Sequence, residues 1–196
     1  MAGSARRAAR LTLALACAAA ALATAQPSVT TPDFNGVALG ASEAQWRAAF
    51  PSFACAASAD RVLSDRACTF DARRQGPAAG AGLTLAGVSV DEATATFVGD
   101  RLVQIAVHYT PADAERLTDA LAARFGAPRV RTTSVINRRG TTIPNVVARW
   151  SLAGGTVENR HFGATLDRAT LTMSVPDYLS VVQRRQLESV KAAPPP

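Results

Sequence analysis

From Ala93 to Phe97 the chain alternates Ala, Thr, Ala, Thr, Phe, and from Val103 to Tyr109 every second position is apolar: Val103, Ile105, Val107, Tyr109. Period two with β-branched and aromatic residues predicts two strands. The segment between them, Val98-Gly99-Asp100-Arg101-Leu102, has to set their register. A two-residue loop at Gly99-Asp100 puts Phe97 opposite Leu102 and turns the apolar row of the second strand onto the face of Thr94 and Thr96. A three-residue loop from Gly99 to Arg101 puts Phe97 opposite Val103 and Ala95 opposite Ile105. Because a slip of one residue turns every side chain over, the three-residue loop is expected: it makes one apolar and one mixed face.

The apolar face needs a cover, and one follows at once. Thr110 can cap, Pro111 suits a first helical turn, and Asp113 and Glu115 favour the positive end of the helix dipole. Arg124 sits near the negative end, and Gly126 and Pro128 stop the helix. Ala114, Leu117, Leu121 and Phe125 are spaced by three and four and form one stripe. Leu83 to Pro128 thus reads as a strand, a hairpin and a capped helix whose stripe is buried on the sheet. Each large apolar side chain so buried contributes roughly 1.5 to 3 kcal/mol, most of it offset by chain entropy.

On either side the pattern is similar. Phe34 to Leu39 suits a short strand; Ser42 with Gln45 three residues on makes a capping box for a helix carrying Trp46, Ala49 and Phe50, ended by Pro51. The stretch from Arg73 to Gly82, rich in glycine and alanine, has neither period nor bulk and reads as a mobile loop. Beyond the central helix, strands are predicted over Arg129 to Ile136, Val146 to Leu152, Thr156 to Phe162 and Ala169 to Val175, a meander. Pro176-Asp177 opens a last helix with Leu179, Val182, Leu187 and Val190. The fold class is α+β: an antiparallel sheet of hairpins and meander, covered on one face by two or three helices.

Composition adds an address. Arg6, Arg7 and Arg10 precede an apolar run from Leu11 to Ala23 that ends in Ala23-Thr24-Ala25 before Gln26, the three parts of a secretory signal peptide. The run is shorter than the ~20 residues of a transmembrane helix, and Ala14 stands where a lipobox ahead of Cys17 would usually carry leucine. The expected organisation is a signal peptide over 1–25, a single α+β domain over 26–190 and a disordered tail over 191–196, with no membrane span after processing. Export puts Cys55 and Cys68, the cysteines remaining after cleavage, in an oxidising compartment, where a disulfide is the default. Closing a loop of about 15 residues is worth ~3 kcal/mol through the unfolded state.

Removing the three leader arginines from 21 basic residues leaves 18 against 15 acidic ones, a formal charge of +3. The charge is uneven: residues 26–128 hold 8 basic and 11 acidic residues, and residues 129–196 hold 10 and 4. Arg138, Arg139, Arg149 and Arg160 are therefore candidate contacts for an anionic partner, set against the blander reading of solvated strand faces in an arginine-rich composition. No reaction assembles from the sequence. His108 and His161 are the two histidines, both on predicted strands. His108 falls on the mixed face of the hairpin, where a partly exposed structural histidine is the ordinary outcome, and His161 stands between Arg160 and Phe162 without a serine-containing elbow nearby. Asp91-Glu92, as neighbours, would face opposite sides of a strand and suit a turn. Walker and GxGxxG loops are absent, and neither a metal nor a cofactor is expected.

Leu39-Gly40-Ala41-Ser42 followed by a helix and Pro51, with the later hairpin of Phe97, turn, Arg101-Leu102 and Ile105, resembles small envelope proteins of the BamE (SmpA/OmlA) and β-lactamase-inhibitor-protein type. That resemblance covers about a third of the chain after the leader. It implies a non-catalytic helix-and-sheet module that works by binding another protein. The expectation is an exported, periplasmic or secreted binding module, with an envelope protein as partner; the alternatives are a binder of anionic envelope polymers through the arginine-rich C-terminal part, and an unrecognised enzyme.

Overall fold

The computed structural model describes residues 31–75 and 82–192. Residues 1–30, which include the predicted leader, the glycine-rich residues 76–81 and the last residues, 193–196, lie outside them. In chain order the elements are β1 (Asp33–Phe34), β2 (Val37–Ala38), α1 (Glu43–Ala49), β3 (Ala54–Ala57), β4 (Arg66–Asp71), β5 (Thr84–Leu85) and β6 (Val88–Ser89). There follow β7 (Glu92–Val98), β8 (Arg101–Tyr109), α2 (Ala114–Phe125), β9 (Arg129–Ile136), β10 (Thr142–Leu152), β11 (Gly155–Arg160), β12 (Ala169–Ser174) and α3 (Tyr178–Ala192). Eight strands make one sheet in the order β3-β4-β7-β8-β12-β11-β10-β9, antiparallel at every pairing. The fold is α+β, as the periodicity predicts.

The hairpin of β7 and β8 resolves the conflict over its loop in an unexpected way. The turn is the short one: Val98 pairs with Arg101 and Phe97 with Leu102, and Gly99 (φ 56°) and Asp100 (φ 58°) both take the left-handed conformation that a two-residue hairpin turn demands. Yet Ala95 still faces Ile105, because a bulge between Thr96 and Phe97 lets the ladder step over Val103. The three-residue loop, with Phe97 opposite Val103, is therefore wrong, while the apolar register it was chosen to give is right. The bulged backbone is satisfied from outside the hairpin. Gly40 donates to the Leu102 carbonyl at 2.8 Å, Leu102 donates to the Ala41 carbonyl at 2.8 Å, and Val175 donates to the Val103 carbonyl at 2.9 Å.

One face of the sheet carries Phe70, Ala93, Ala95, Ile105, Val107, Tyr109, Val157, Ala148, Trp150, Leu171 and Met173, all buried. Over its β3 side lie β1, β2 and α1. There the capping box of Ser42 and Gln45 is formed on both sides, and Trp46 packs among Phe34, Phe50, Phe53 and Phe97. Over its middle lies α2, with Ala114, Leu117 and Leu121 buried. A 3₁₀ turn over Pro111–Asp113 precedes it, and the Thr110 side chain makes no capping bond. Phe125, at the end of the stripe, is only partly covered; the Arg124 guanidinium lies 4.9 Å from its ring centre.

Two pieces of this sheet were not predicted. β3 and β4 extend it beyond β7, and Cys55 stands directly opposite Cys68 in their register, so the disulfide bridges neighbouring strands. Glu92 belongs to β7 and pairs with His108, not to a turn; Arg168 holds its carboxylate at 2.9 Å. α3 is attached through Arg185, which bonds both Asp65 carboxylate oxygens (3.0 and 2.9 Å) and the Arg61 carbonyl (3.1 Å). That bond to Arg185, and secondarily one from the Gly99 amide, holds the Asp65 carboxyl below its usual pKa. α3 continues through Lys191 to Ala192. Among the described residues, no helix is long and apolar enough to cross a membrane.

Candidate functional site

Side chains alternate across a strand, so the face opposite α2 is fixed once one residue is placed. Asn159 reaches α2, donating to the Ala114 carbonyl at 3.1 Å and to Thr118 Oγ1 at 2.9 Å; its neighbours Glu158 and Arg160 therefore point to the other, open face. In the β10 ladders Arg149 stands opposite both Glu158 and Arg129, and Val147 opposite both Arg160 and Arg131. Four arginines from three adjacent strands thus share one corner of the open face.

Glu158 is the hub. Arg160 meets its Oε1 at 2.6 Å, while Arg131 and Arg149 each lie 3.8 Å from its Oε2. The carboxylate is 16% exposed and the three arginine side chains 44 to 56%. Val147 beneath them is fully buried, flanked by the stems of Arg131 and Arg160, which suits aliphatic arginine stems with their heads in water. Exposed ion pairs of this kind contribute little stability, ~0 to 1 kcal/mol each. Their consequence is electrostatic: three guanidinium groups share one carboxylate, Arg129 stands opposite Arg149 on the same face, and the four arginines exceed the one carboxylate by +3. Beyond the patch the same face continues through Thr156, Thr170, Thr172 and Ser174, hydroxyl side chains that can donate or accept hydrogen bonds.

Of the four arginines singled out in the sequence, the structure brings Arg149 and Arg160 together and separates Arg138 and Arg139. The latter two are exposed in the turn between β9 and β10, which the Asn137 carboxamide oxygen shapes by accepting from the Arg139 and Thr141 amides, each at 2.9 Å. They border an open hollow of about 650 Å³ walled by Val135, Leu166 and Asp167. Arg129 and Arg131 were missed as site residues, although part of their signal was present: two apart in one predicted strand, they share a face, while Arg149 joins them only through the β9–β10 register. Glu158 as the common counter-ion needed the β10–β11 register.

The histidines are placed as follows. His108, on the open face, has Nδ1 3.2 Å from Thr170 Oγ1. His161 lies against Phe162, ring centres 4.5 Å apart, beside a hollow of about 280 Å³ that Glu115, Thr118 and Asn159 also line. Glu43, Cys55 and Cys68 bring a carboxylate and two sulfurs within 4.8 Å of one another, but the sulfurs are bonded to each other and Glu43 is held by Arg66, so no thiolate is there to bind a cation. The Tyr109 hydroxyl donates to Asn159, and burial first of all pushes its pKa up; it is a structural phenol. Compared with known proteins, the chain matches no protein-family model, no curated protein and no solved structure.

Proposed function

We propose that this is an exported, non-catalytic binding protein of the bacterial cell envelope, and that its open sheet face receives an anionic partner. The observation that carries the reading is the convergence of Arg131, Arg149 and Arg160 on the single carboxylate of Glu158, with Arg129 alongside. A hydroxyl-lined face with a net positive corner at Arg129, Arg131, Arg149 and Arg160 suits an extended polyanion. Export is supported by the three-part leader ahead of Gln26 and agrees with a bridged Cys55–Cys68 pair. Intact mass of the secreted protein should correspond to a chain beginning at Gln26; a mass that includes residues 1–25, or a lipid on Cys17, contradicts it.

The test uses a sulfated polysaccharide such as heparin as the model polyanion. Binding should weaken steeply with salt, by about one released counterion per charge neutralised. The triple variant Arg131→Ala/Arg149→Ala/Arg160→Ala should lose both the affinity and most of the salt slope while keeping its fold. Equal retention of variant and parent overturns the reading. A second reading, docking of a partner protein through apolar contacts, draws support from α3, whose Leu179, Leu187 and Val190 are exposed and lie on one side of the helix. A natural partner retained at high salt favours that one.

A further inference from the structure

β9 forms one edge of the sheet, and among the described residues nothing pairs with its outer side. Its ladder to β10 runs without a bulge from Arg129 to Ile136, and it contains no proline. Native edge strands are usually protected by bulges, prolines, charged side chains or shortness; of these β9 has only Arg129 and Arg131, both toward one end and on the open face, whereas the opposite edge, β3, has only four residues. Which groups of β9 are free follows from the hairpin. The Asn137 amide donates across it to the Thr141 carbonyl at 3.0 Å, so odd positions bond to β10. Val130, Thr132, Ser134 and Ile136 then point their amides and carbonyls outward. On the α2 side of this edge Thr132 and Ser134 stand between two uncovered apolar side chains: Val130 is 58% exposed and Ile136 72%, while Val146, opposite Thr132, is 44% exposed.

We propose that two copies of this protein pair through β9 in an antiparallel, two-fold arrangement that continues the sheet, with Thr133 opposite Thr133 of the partner subunit. A two-fold axis perpendicular to the sheet keeps each face on its own side, so residues that meet must share parity. Of the registers this permits, the one centred on Thr133 sets Val130 against the partner's Ile136 and Thr132 against the partner's Ser134. It uses every outward amide and carbonyl from Val130 to Ile136, for about eight inter-copy hydrogen bonds. Centring on Thr132 instead would set Val130 against the partner's Ser134 and leave Ile136 overhanging. The exposed apolar residues thus choose both the register and the occupant: the strand is complementary to itself. The contact is isologous and closes at two copies.

The pairing does not depend on the anion-binding reading, and salt tells the two apart. Both arginine patches come to lie on one face, with Arg129 beside the partner's Asn137 and the exposed Arg138 and Arg139 of its turn. Like charges oppose association, and salt screens them. Self-association therefore strengthens with salt, whereas polyanion binding weakens.

Sedimentation of the folded, processed protein from micromolar to sub-millimolar concentration should show a monomer–dimer equilibrium that tightens severalfold from low to high salt. Thr133→Cys should form a covalent dimer under mild oxidation many times faster than Val135→Cys, whose sulfurs would be separated by the register. Ser134→Pro removes an outward amide that β10 does not use and should abolish the dimer. Ile136→Lys, at a site already exposed, should do the same should the proline variant fail to fold. A monomer at every concentration, dimerisation unaffected by Ile136→Lys, or crosslinking of Val135→Cys as fast as of Thr133→Cys overturns the proposal.

Discussion

Replacing Asn159 by alanine tests how α2 is fastened to the sheet. Asn159 is buried and faces two ways: its Oδ1 accepts from the Tyr109 hydroxyl, and its Nδ2 donates to Ala114 and Thr118 at the start of α2. Alanine leaves the Tyr109 hydroxyl, on a fully buried residue, without an acceptor, and an orphaned buried group costs about 1 to 3 kcal/mol. The Ala114 carbonyl suffers less, because Thr118 Oγ1 also donates to it at 2.8 Å. With the small cavity added, the loss should be about 2 to 4 kcal/mol. Tyr109→Phe alone orphans the Asn159 oxygen and should cost about 1 to 2 kcal/mol. The double variant removes donor and acceptor together, so its loss should fall short of the sum by about 1 to 3 kcal/mol. Urea unfolding of the four proteins, at constant slope against denaturant, measures this. Losses that add to within ~0.5 kcal/mol would mean that the two side chains are independent, and the fastening of α2 would have to be sought elsewhere.

Leu121→Ala, at a buried position of the α2 stripe, should cost about 2 to 5 kcal/mol, and His108→Ala, on the open face, much less. In a chain of this size each kcal/mol lowers the melting temperature by about 2 to 4 °C, so calorimetry separates them; equal losses would contradict the packing of α2. Cys55 and Cys68 should resist thiol labelling in the folded protein until reductant is added, and ready labelling of both would show the bridge to be missing. Asp65 has its pKa lowered on folding, chiefly by Arg185, so it contributes stability above its unfolded value of about 3.9 that is lost as pH falls through the folded value. Its side chain is about half exposed (46%), so the global effect is small and the local one is what to measure. Asp65→Asn, which mimics the protonated state, should expose α3 to protease at neutral pH, and unchanged cleavage would show that the ion pair does not hold the helix.

Much of this architecture was legible in the order of residues, because it rests on local physics. Alternation over residues 93–97 and 103–109 requires strands, Ser42 and Gln45 close a capping box within one turn, and the spacing of Ala114, Leu117 and Leu121 requires a buried helix face. The hairpin shows where such reasoning stops. Gly99-Asp100 favours the short turn and the apolar row favours the longer register. A bulge can satisfy both only because Gly40, Ala41 and Val175, distant in sequence, supply partners to Leu102 and Val103. β3 and β4 were invisible for a related reason: a strand such as Ala54–Ala57 has little period of its own and exists because β4 offers it a ladder and Cys55 meets Cys68 across it. The basic excess after residue 128 could be counted from the sequence, and the common face of Arg129 and Arg131 could be read within their strand; that Arg149 shares it follows only from the β9–β10 register. Their meeting with Arg160 around Glu158 was decided by the tertiary structure, because proximity across a sheet depends on strand order and register, which long-range backbone hydrogen bonds select.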